Sequence, residues 1–378
     1  MFSRRLKNLD YNFLLVIGLI LVMNLLVLSS AAAATHEGAL YYVKRQALWI
    51  VLGLIAAGFI TFSFDYSKLH QWHHAIYGTM VVMLVAVLIP VIGHMAKGAQ
   101  RSIDFGAFVL QPSELAKIMI IICFASYLSR RQGEVQHLKD LVPCFLYFAV
   151  PFGLIFKQPD LGTSLVFIVI FFGMLYLAGA RPSLLLKIIG GCLGVIALAL
   201  ALHFSPLHMP LPLKDYQISR LTVFLDPYSD PTRDGYHIIQ SLVAIGSGGL
   251  WGKGLYRGTQ VQLNFLPEPH TDFIFSVIGE ELGFLGAGIL LILYYNLITR
   301  TLSMAFKSRD SFGRLIIGGI ICMWLFHILE NIGMTVGIMP ITGIPLPFMS
   351  YGGSFMLTNM IAVGLVLNVY LRHELMLF

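Results

Sequence analysis

Residues 265–283 read FLPEPHTDFIFSVIGEELG. The stretch opens as a loop stiffened by Pro267 and Pro269 and turns into an apolar helical pattern. It carries Glu268, His270 and Asp272 at the junction, and Glu280 and Glu281 inside the helical part. A helix this apolar belongs in a membrane, where carboxylates are costly unless they are paired or used. Whether the rest of the chain is made for lipid, and where its other polar residues fall, decides how these acids are read.

The chain has 378 residues, of which 57% are hydrophobic and 12% charged, with a mean hydropathy of +0.79. Soluble domains carry roughly 25% charged residues, so the chain is an integral membrane protein. Its +6 net charge is a matter of membrane sidedness and implies no nucleic-acid partner. Cys123, Cys144, Cys192 and Cys322 fall in apolar runs without the paired spacing of a zinc site. They are expected to be small buried hydrophobes.

Runs of about 17–25 apolar residues are long enough to span a bilayer. Ten occur, near 12–33, 46–64, 73–95, 113–129, 141–157, 161–179, 184–204, 272–299, 313–338 and 346–371. The first follows Arg4, Arg5 and Lys7 and ends in AAAA. It is longer than the ~7–15-residue core of a cleaved signal, so a retained helix is expected. With the N-terminus inside, the inner segments hold 14 Lys and Arg residues against five (Lys44, Arg45, Lys97, Arg101 and Lys157) in the short outer loops. That is the positive-inside bias. The expected fold is therefore an all-α polytopic membrane protein. It has ten transmembrane helices in one domain over 1–378, both termini cytoplasmic, and one long extracytoplasmic loop, 205–271, between helices 7 and 8.

This topology gathers the polar residues on the outer face. GAQRSIDFGAFVLQPSELAK (98–117), KQPDLGTS (157–164), the end of the long loop and PITGIPLPFMSYGGS (340–354) all reach it. Glu114 and Lys117, three apart on a helix begun by Pro112, share a face. Lys117 lies roughly 7 Å below the helix end at ~1.5 Å per residue. It is read either as half of a packing ion pair or as a cation facing an anionic lipid headgroup. Asp272 is expected at a helix N-terminus after Thr271, where a carboxylate is favoured. Partly desolvated and close to cations such as Arg101 or Lys117, it has what a general base needs. The prolines hold Glu268 near the same mouth.

Glu280 and Glu281 lie roughly 12–13 Å beyond Asp272 on a continuous helix. They point to different sides of it, and His327 and Glu330 are the expected hydrogen-bond partners. In the long loop, DYQISRLTVFL (215–225) is expected to lie in the membrane interface. The segment 236–254, apolar but too short to span before its glycines, is expected as a re-entrant or interfacial element against protein or a wet cavity. Asp226, Asp230 and Asp234 lack calcium-loop spacing and read as turns. No nucleotide-binding motif is present, so any substrate arrives already activated from the membrane.

Four blocks occur in order and span nearly the whole chain. They are GAQRSIDFGAFVLQPSELAK, KQPDLGTS, DPYSDPTRDGYHIIQSLVAIGSGGLWGKGLYRGTQVQLNFLPEPHTDFIFSVIGEELG and GIPLPFMSYGGS. Together they resemble the shape, elongation, division and sporulation (SEDS) family. GTQVQLNFLPE and the short tails are nearer its elongation branch than its division branch.

The resemblance implies a ten-helix glycosyltransferase of the bacterial inner membrane that polymerises lipid II into peptidoglycan strands at the outer face. It implies a class B penicillin-binding protein partner, other elongation-complex membrane proteins and undecaprenyl-linked glycan. It makes Asp272 the essential catalytic acid. It places Arg101, Gln111, Glu114, Lys117 and Glu268 on family motif positions, and makes His270, Lys157, Asp160 and Ser350 further substrate-binding candidates. A divalent cation, Mg or Mn, is a candidate cofactor, with no metal ligands assigned. A covalent route would need a second carboxylate, for which Glu268 is the nearest. The rival readings are a lipid II flippase using Glu280, Glu281 and Glu330, and a non-catalytic scaffold.

Overall fold

The computed structural model describes residues 7–375, except 36, 90–92, 97, 98, 105, 107, 132, 134, 205–214 and 233. Arg4, Arg5 and Lys97, counted above for sidedness, lie outside the described residues, as does the loop segment 205–214.

Apolar helices stand at all ten expected places. α1 (Tyr11–Ala31) starts at Asp10, whose carboxylate accepts from the Phe13 amide at 2.9 Å. α2 (Ala39–Phe62), the short α3 (Ser67–Gln71) and α4 (His73–Leu88) follow. α5 (Pro112–Ser129) places Pro112 in its first turn, where a missing amide costs nothing. α6 (Leu138–Lys157), α7 (Leu161–Leu177) and α8 (Pro182–Phe204) complete the first part. Of the remainder, α13 (Gly283–Lys307), α14 (Ser311–Thr335) and α15 (Gly353–Leu375) are long and apolar. Among the described residues eight helices are long and apolar enough to cross a membrane, and α4 and α7 are shorter apolar helices of 16 and 17 residues.

Three expectations are corrected. The chain is not purely helical. The stretch after α4 forms a small antiparallel sheet of β1 (Gly93–Ala96), β2 (Ala99–Asp104) and β3 (Val109–Leu110), in the order β1-β2-β3. The expected span 73–95 therefore ends at Leu88.

The expected span 272–299 is broken. Residues 271–273 are a turn, α12 (Ile274–Glu281) is a separate eight-residue helix, and the long helix begins only at Gly283. Gly283 has φ +66°, a left-handed conformation that side-chain-bearing residues avoid. Thr271 is thus not a helix cap, and α12 starts from Phe273 without a side-chain cap.

Cys192 is exposed and Cys322 half-buried, while Cys123 and Cys144 are buried as expected; all four are free thiols. α8, which carries Cys192, packs little of its surface against protein.

The buried centre is made by α5, α14 and α15. α15 lies along α2, and α14 along α7, α5 and α13. The long loop supplies α9 (Asp215–Leu225), a 3-10 turn at Pro227–Ser229, α10 (Asp234–Gly248) and the one-turn α11 (Thr259–Gln262). Asp226 caps that turn through the Tyr228 amide at 3.0 Å, the turn role expected of it. α10 packs on α12 at backbone distance. A methyl at Gly248 would lie 1.9 Å from the Gly279 carbonyl oxygen, and one at Gly252 would lie 2.2 Å from that of Glu281. These glycines let one face of α10 and the turn after it approach α12 at backbone distance.

Candidate active site

The turn 270–272 is fixed through its backbone. Three consecutive carbonyls are each held from another element. His270 O accepts from the Tyr351 amide at 2.9 Å, Thr271 O from Ser350 Oγ at 2.6 Å, and Asp272 O from Asn331 Nδ2 at 2.8 Å. Ser350 and Asn331 are fully buried, so the clamp sits in a low-dielectric surround where such bonds are strong. Asn331 also binds Ile344 O at 2.8 Å. One amide therefore joins the Asp272 turn to the segment before α15. The result is a half-buried Asp272 on a held backbone, at the wall of open space.

That space is two cavities. The larger, of about 640 Å³, is lined by Arg45 and Trp49 of α2, Arg101 of β2, Gln111, Glu114 and Lys117 at the head of α5, Asp160 at the head of α7, and Asp272. The smaller, of about 270 Å³, is lined by Arg220 and Val223 of α9, His237 of α10, Glu268, Asp272, Phe273, Ile341 and Gly343. Asp272, Arg220 and Gly343 belong to both walls. Gly343 has φ +73°, and a methyl added there would stand 3.3 Å from Asp272 Oδ2. Its hydrogen keeps the carboxylate accessible. Arg220 Nη1 donates to Thr342 O at 3.4 Å, beside Gly343.

The cations in the larger cavity are held in different ways. Lys117 is 1% exposed and lies 2.8 Å from Glu114, with His327 Nε2 at 3.0 Å and the Phe355 ring centroid at 5.4 Å. It is both half of a buried ion pair and a lining residue, so the two readings of the sequence are not exclusive. Glu114 thereby compensates a cation that would otherwise be prohibitively costly to bury. Asp160 caps α7, accepting from the Thr163 amide at 3.0 Å and its hydroxyl at 2.9 Å; Gln111 Nε2 approaches it at 3.4 Å. Arg101 is half-buried on the sheet that the hydropathy pattern concealed.

The structure thus brings Arg101, Gln111, Glu114, Lys117, Asp160, Glu268 and Asp272 to the two cavities. Glu268 has φ +47°, and its carbonyl receives the Thr271 amide at 3.2 Å. Three residues do not line either cavity. His270 packs between Tyr42 and Tyr351, with ring centroids 4.7 and 5.9 Å away. Lys157 is exposed at the end of α6, and Ser350 is the buried clamp described above. Arg220, His237, Arg45 and Gly343 were missed by the sequence reading. Arg220 had a signal: it is a cation inside the amphipathic segment 215–225, where only the apolar face was weighed.

Among the described residues no group of three His, Cys, Asp or Glu side chains is placed to hold a metal ion. Of the acids lining the larger cavity, Glu114 pairs with Lys117 and Asp160 caps α7.

The protein-family model described as "Cell cycle protein", FTSW_RODA_SPOVE, matches residues 7–374. This chain belongs to the FtsW/RodA/SpoVE family. It is a SEDS protein, as the blocks around Asp272 suggested. It is 38% identical to the peptidoglycan glycosyltransferase MrdB of Escherichia coli, over 98% of this chain and 95% of that protein. It is 36% identical to a probable peptidoglycan glycosyltransferase FtsW of Trichlorobacter lovleyi, over 97% and 94%.

Its fold matches a chain from the structure "Structural coordination of polymerization and crosslinking by a peptidoglycan synthase complex". The TM-score is 0.78 and the identity 30%, covering 96% of this chain and 98% of that one. It also matches the rod shape determining protein RodA of Thermus thermophilus, with a TM-score of 0.69 and 28% identity, covering 96% of each. The similar identities to MrdB and FtsW do not separate the elongation branch from the division branch.

Proposed function

We propose that this SEDS protein is a peptidoglycan glycosyltransferase that joins lipid II units at the outer face of a bacterial inner membrane. In this reading the ten apolar helices cross the bilayer with both termini in the cytoplasm. Asp272 and its cavities open outward, and the strand made serves cell elongation. The observation that carries the reading is the position of Asp272 on the wall between a cation-lined cavity and a smaller one.

The step is a displacement at an anomeric carbon. The C4 hydroxyl of an acceptor sugar attacks C1 of the donor, whose C1–O bond to undecaprenyl pyrophosphate breaks. The hydroxyl proton passes to Asp272, a carboxylate placed for general-base work. The pyrophosphate leaves with the bonding electron pair, and Arg101 and Lys117 face the growing negative charge with donors already in place. Inversion at C1 follows from direct attack. A buried amine needs no reorganisation during the step, because Glu114 and His327 already fix its position.

A class B penicillin-binding protein, which crosslinks the strands, is the partner in this reading. The likeness to a chain of a peptidoglycan synthase complex supports it. No observation favours the flippase reading. The acids it would use are hydrogen-bonded: Glu280 and Glu281 to loop groups and Ser30, and Glu330 to Thr342.

The test is strand formation from purified lipid II in detergent, with the chain copurified with its penicillin-binding partner carrying an inactivated transpeptidase serine. Polymer from the unaltered chain and none from Asp272→Ala or Asp272→Asn, with the complex intact, is the expected result. Equal polymer from all three would remove Asp272 from the chemistry.

A further inference from the structure

The two cavities differ in charge as well as in size, and Asp272 faces both. The larger gathers Arg45, Arg101 and Lys117 in addition to the shared Arg220, against the acids Glu114, Asp160 and Asp272. Among the described residues the smaller has Arg220 as its only arginine or lysine, and sets it beside His237 and Glu268. We infer that the smaller cavity is the acceptor subsite, holding the neutral sugar ring whose hydroxyl attacks, and that the larger holds the pyrophosphate-bearing end of the donor. This rests on the glycosyltransferase reading above and goes beyond it by dividing the site.

The division follows from where each substrate carries its charge. In the donor the pyrophosphate is bonded to the reacting carbon itself, so the subsite around that carbon must be cationic. In the acceptor the attacking hydroxyl sits at the far end of the disaccharide from its pyrophosphate. The pocket next to the base therefore receives an uncharged sugar. A sugar hydroxyl is both donor and acceptor, and a pocket with an imidazole, a carboxylate and one guanidinium can meet both needs. The larger cavity has more cations than acids among its described lining residues, which suits a diphosphate.

The volumes agree with this assignment. Ligand pockets span roughly 300–1,000 Å³. The smaller cavity, at about 270 Å³, lies just below that range and suits a single ring. The larger, at about 640 Å³, reaches from Arg101 to His327 and Phe355 and suits a sugar with its diphosphate and the start of a polyprenyl chain. Asp272 on the shared wall then stands where the acceptor hydroxyl meets the donor carbon. Arg220, on the same wall, stands beside the bond that breaks.

The roles can be separated with substrates that each play one part. The donor probe is lipid II with hydrogen in place of the acceptor C4 hydroxyl. The acceptor probe is the disaccharide as a C1 alkyl glycoside, which has no leaving group. The full-length chain in complex with its partner would be given both, and their concentrations varied independently. The expected result is a rise of tenfold or more in the acceptor KM for His237→Ala and Glu268→Gln, with the donor KM within twofold of the unaltered chain. Arg101→Gln should give the reverse split. Glu268→Gln keeps the shape of the side chain and guards against a simple folding defect.

A rise in the donor KM for the His237 and Glu268 variants, or no change in either KM, would overturn the assignment. So would refusal of the alkyl glycoside by a chain that polymerises native lipid II, because a subsite that reads only the neutral end must accept it. Failure with native lipid II as well would overturn the glycosyltransferase reading itself, and the two failures are thereby told apart.

Discussion

Two acidic regions lie within a dozen residues of each other and are treated oppositely by the fold. At Asp272 the backbone is held and the side chain faces cavities. At Glu280 and Glu281 one oxygen of each side chain is taken up by neighbouring groups. Glu280 Oε1 accepts from Lys253 Nζ at 2.7 Å, the Gln260 amide at 3.0 Å and Thr259 Oγ1 at 3.1 Å. Glu281 Oε1 accepts from Ser30 Oγ at 2.6 Å and the Gly258 amide at 3.4 Å. Their carbonyls receive the amides of Lys253 and Gly254 at 3.0 and 2.9 Å. Both glutamates are at most 1% exposed, whereas Asp272 is half-buried. A carboxylate that spends its acceptors on local amides holds a loop in place. One whose backbone carries much of the restraint can present its side chain on a cavity wall.

The strongest way to break this contrast is at Asp272. Asp272→Asn preserves volume and removes the base, so strand synthesis should fall by roughly 10²–10⁴-fold, the usual worth of general-base catalysis. Thermal unfolding should move little, because the clamp uses backbone carbonyls. A large loss of stability in Asp272→Asn would place that residue in the same structural class as the glutamates.

Lys117 shares both characters and should show both effects. Lys117→Met strands Glu114 in a buried site, which costs about 3–5 kcal/mol and should appear as a clear drop in Tm. Adding Glu114→Gln removes the stranded charge. The double variant should regain much of the stability and still make no polymer. If activity returned with stability, Lys117 would be a packing residue only.

How much of this contrast the sequence revealed depended on what set each position. Asp272, Lys117 and the ten apolar segments were legible because composition and hydropathy are local properties. The break at Gly283 was not, because the apolar run continues through it. The signal lay in Gly248, Gly252 and Gly283, whose meaning appears only when α10 is laid against α12. The same break overturned the expected partners of Glu280 and Glu281. On a continuous helix they would have reached His327 and Glu330. On a separate short helix they meet Lys253, Thr259 and Ser30 instead, while His327 holds Lys117 and Glu330 accepts from Thr342. The smaller cavity was invisible for a related reason: Arg220, His237 and Gly343 come from three segments whose meeting is set by tertiary packing.

The glycine contacts sharpen the structural side of the comparison. Gly252 has φ +78° and no room for a methyl against Glu281 O. Gly252→Ala should cost about 1–3 kcal/mol for the backbone conformation alone, with more from the clash. The loss should be seen in Tm, with both substrate KM values unchanged in whatever folded protein remains. A shift confined to the acceptor KM would instead join this loop to the smaller cavity.

The smallest expected effect is a pH dependence at Glu281, which lies outside the long membrane helices. Burial pushes its carboxyl above the usual carboxylate range, against the opposing pull of the Ser30 hydroxyl and the Gly258 amide. The unfolded chain releases this proton near pH ~4.3, and the folded chain releases it at a higher pH. Between those values the folded state holds more protons than the unfolded one, so this group's contribution to stability falls as pH rises through the window and is flat above it. Glu281→Gln should remove that slope while keeping a side chain that accepts from Ser30. Tm measured for both chains from about pH 4.5 to pH 8 should therefore converge at the acid end and separate as the pH rises, with the glutamine variant the more stable at the upper end. Parallel curves would mean that Glu281 is held as firmly ionised as protonated, and its clamp would then be an ordinary charged one.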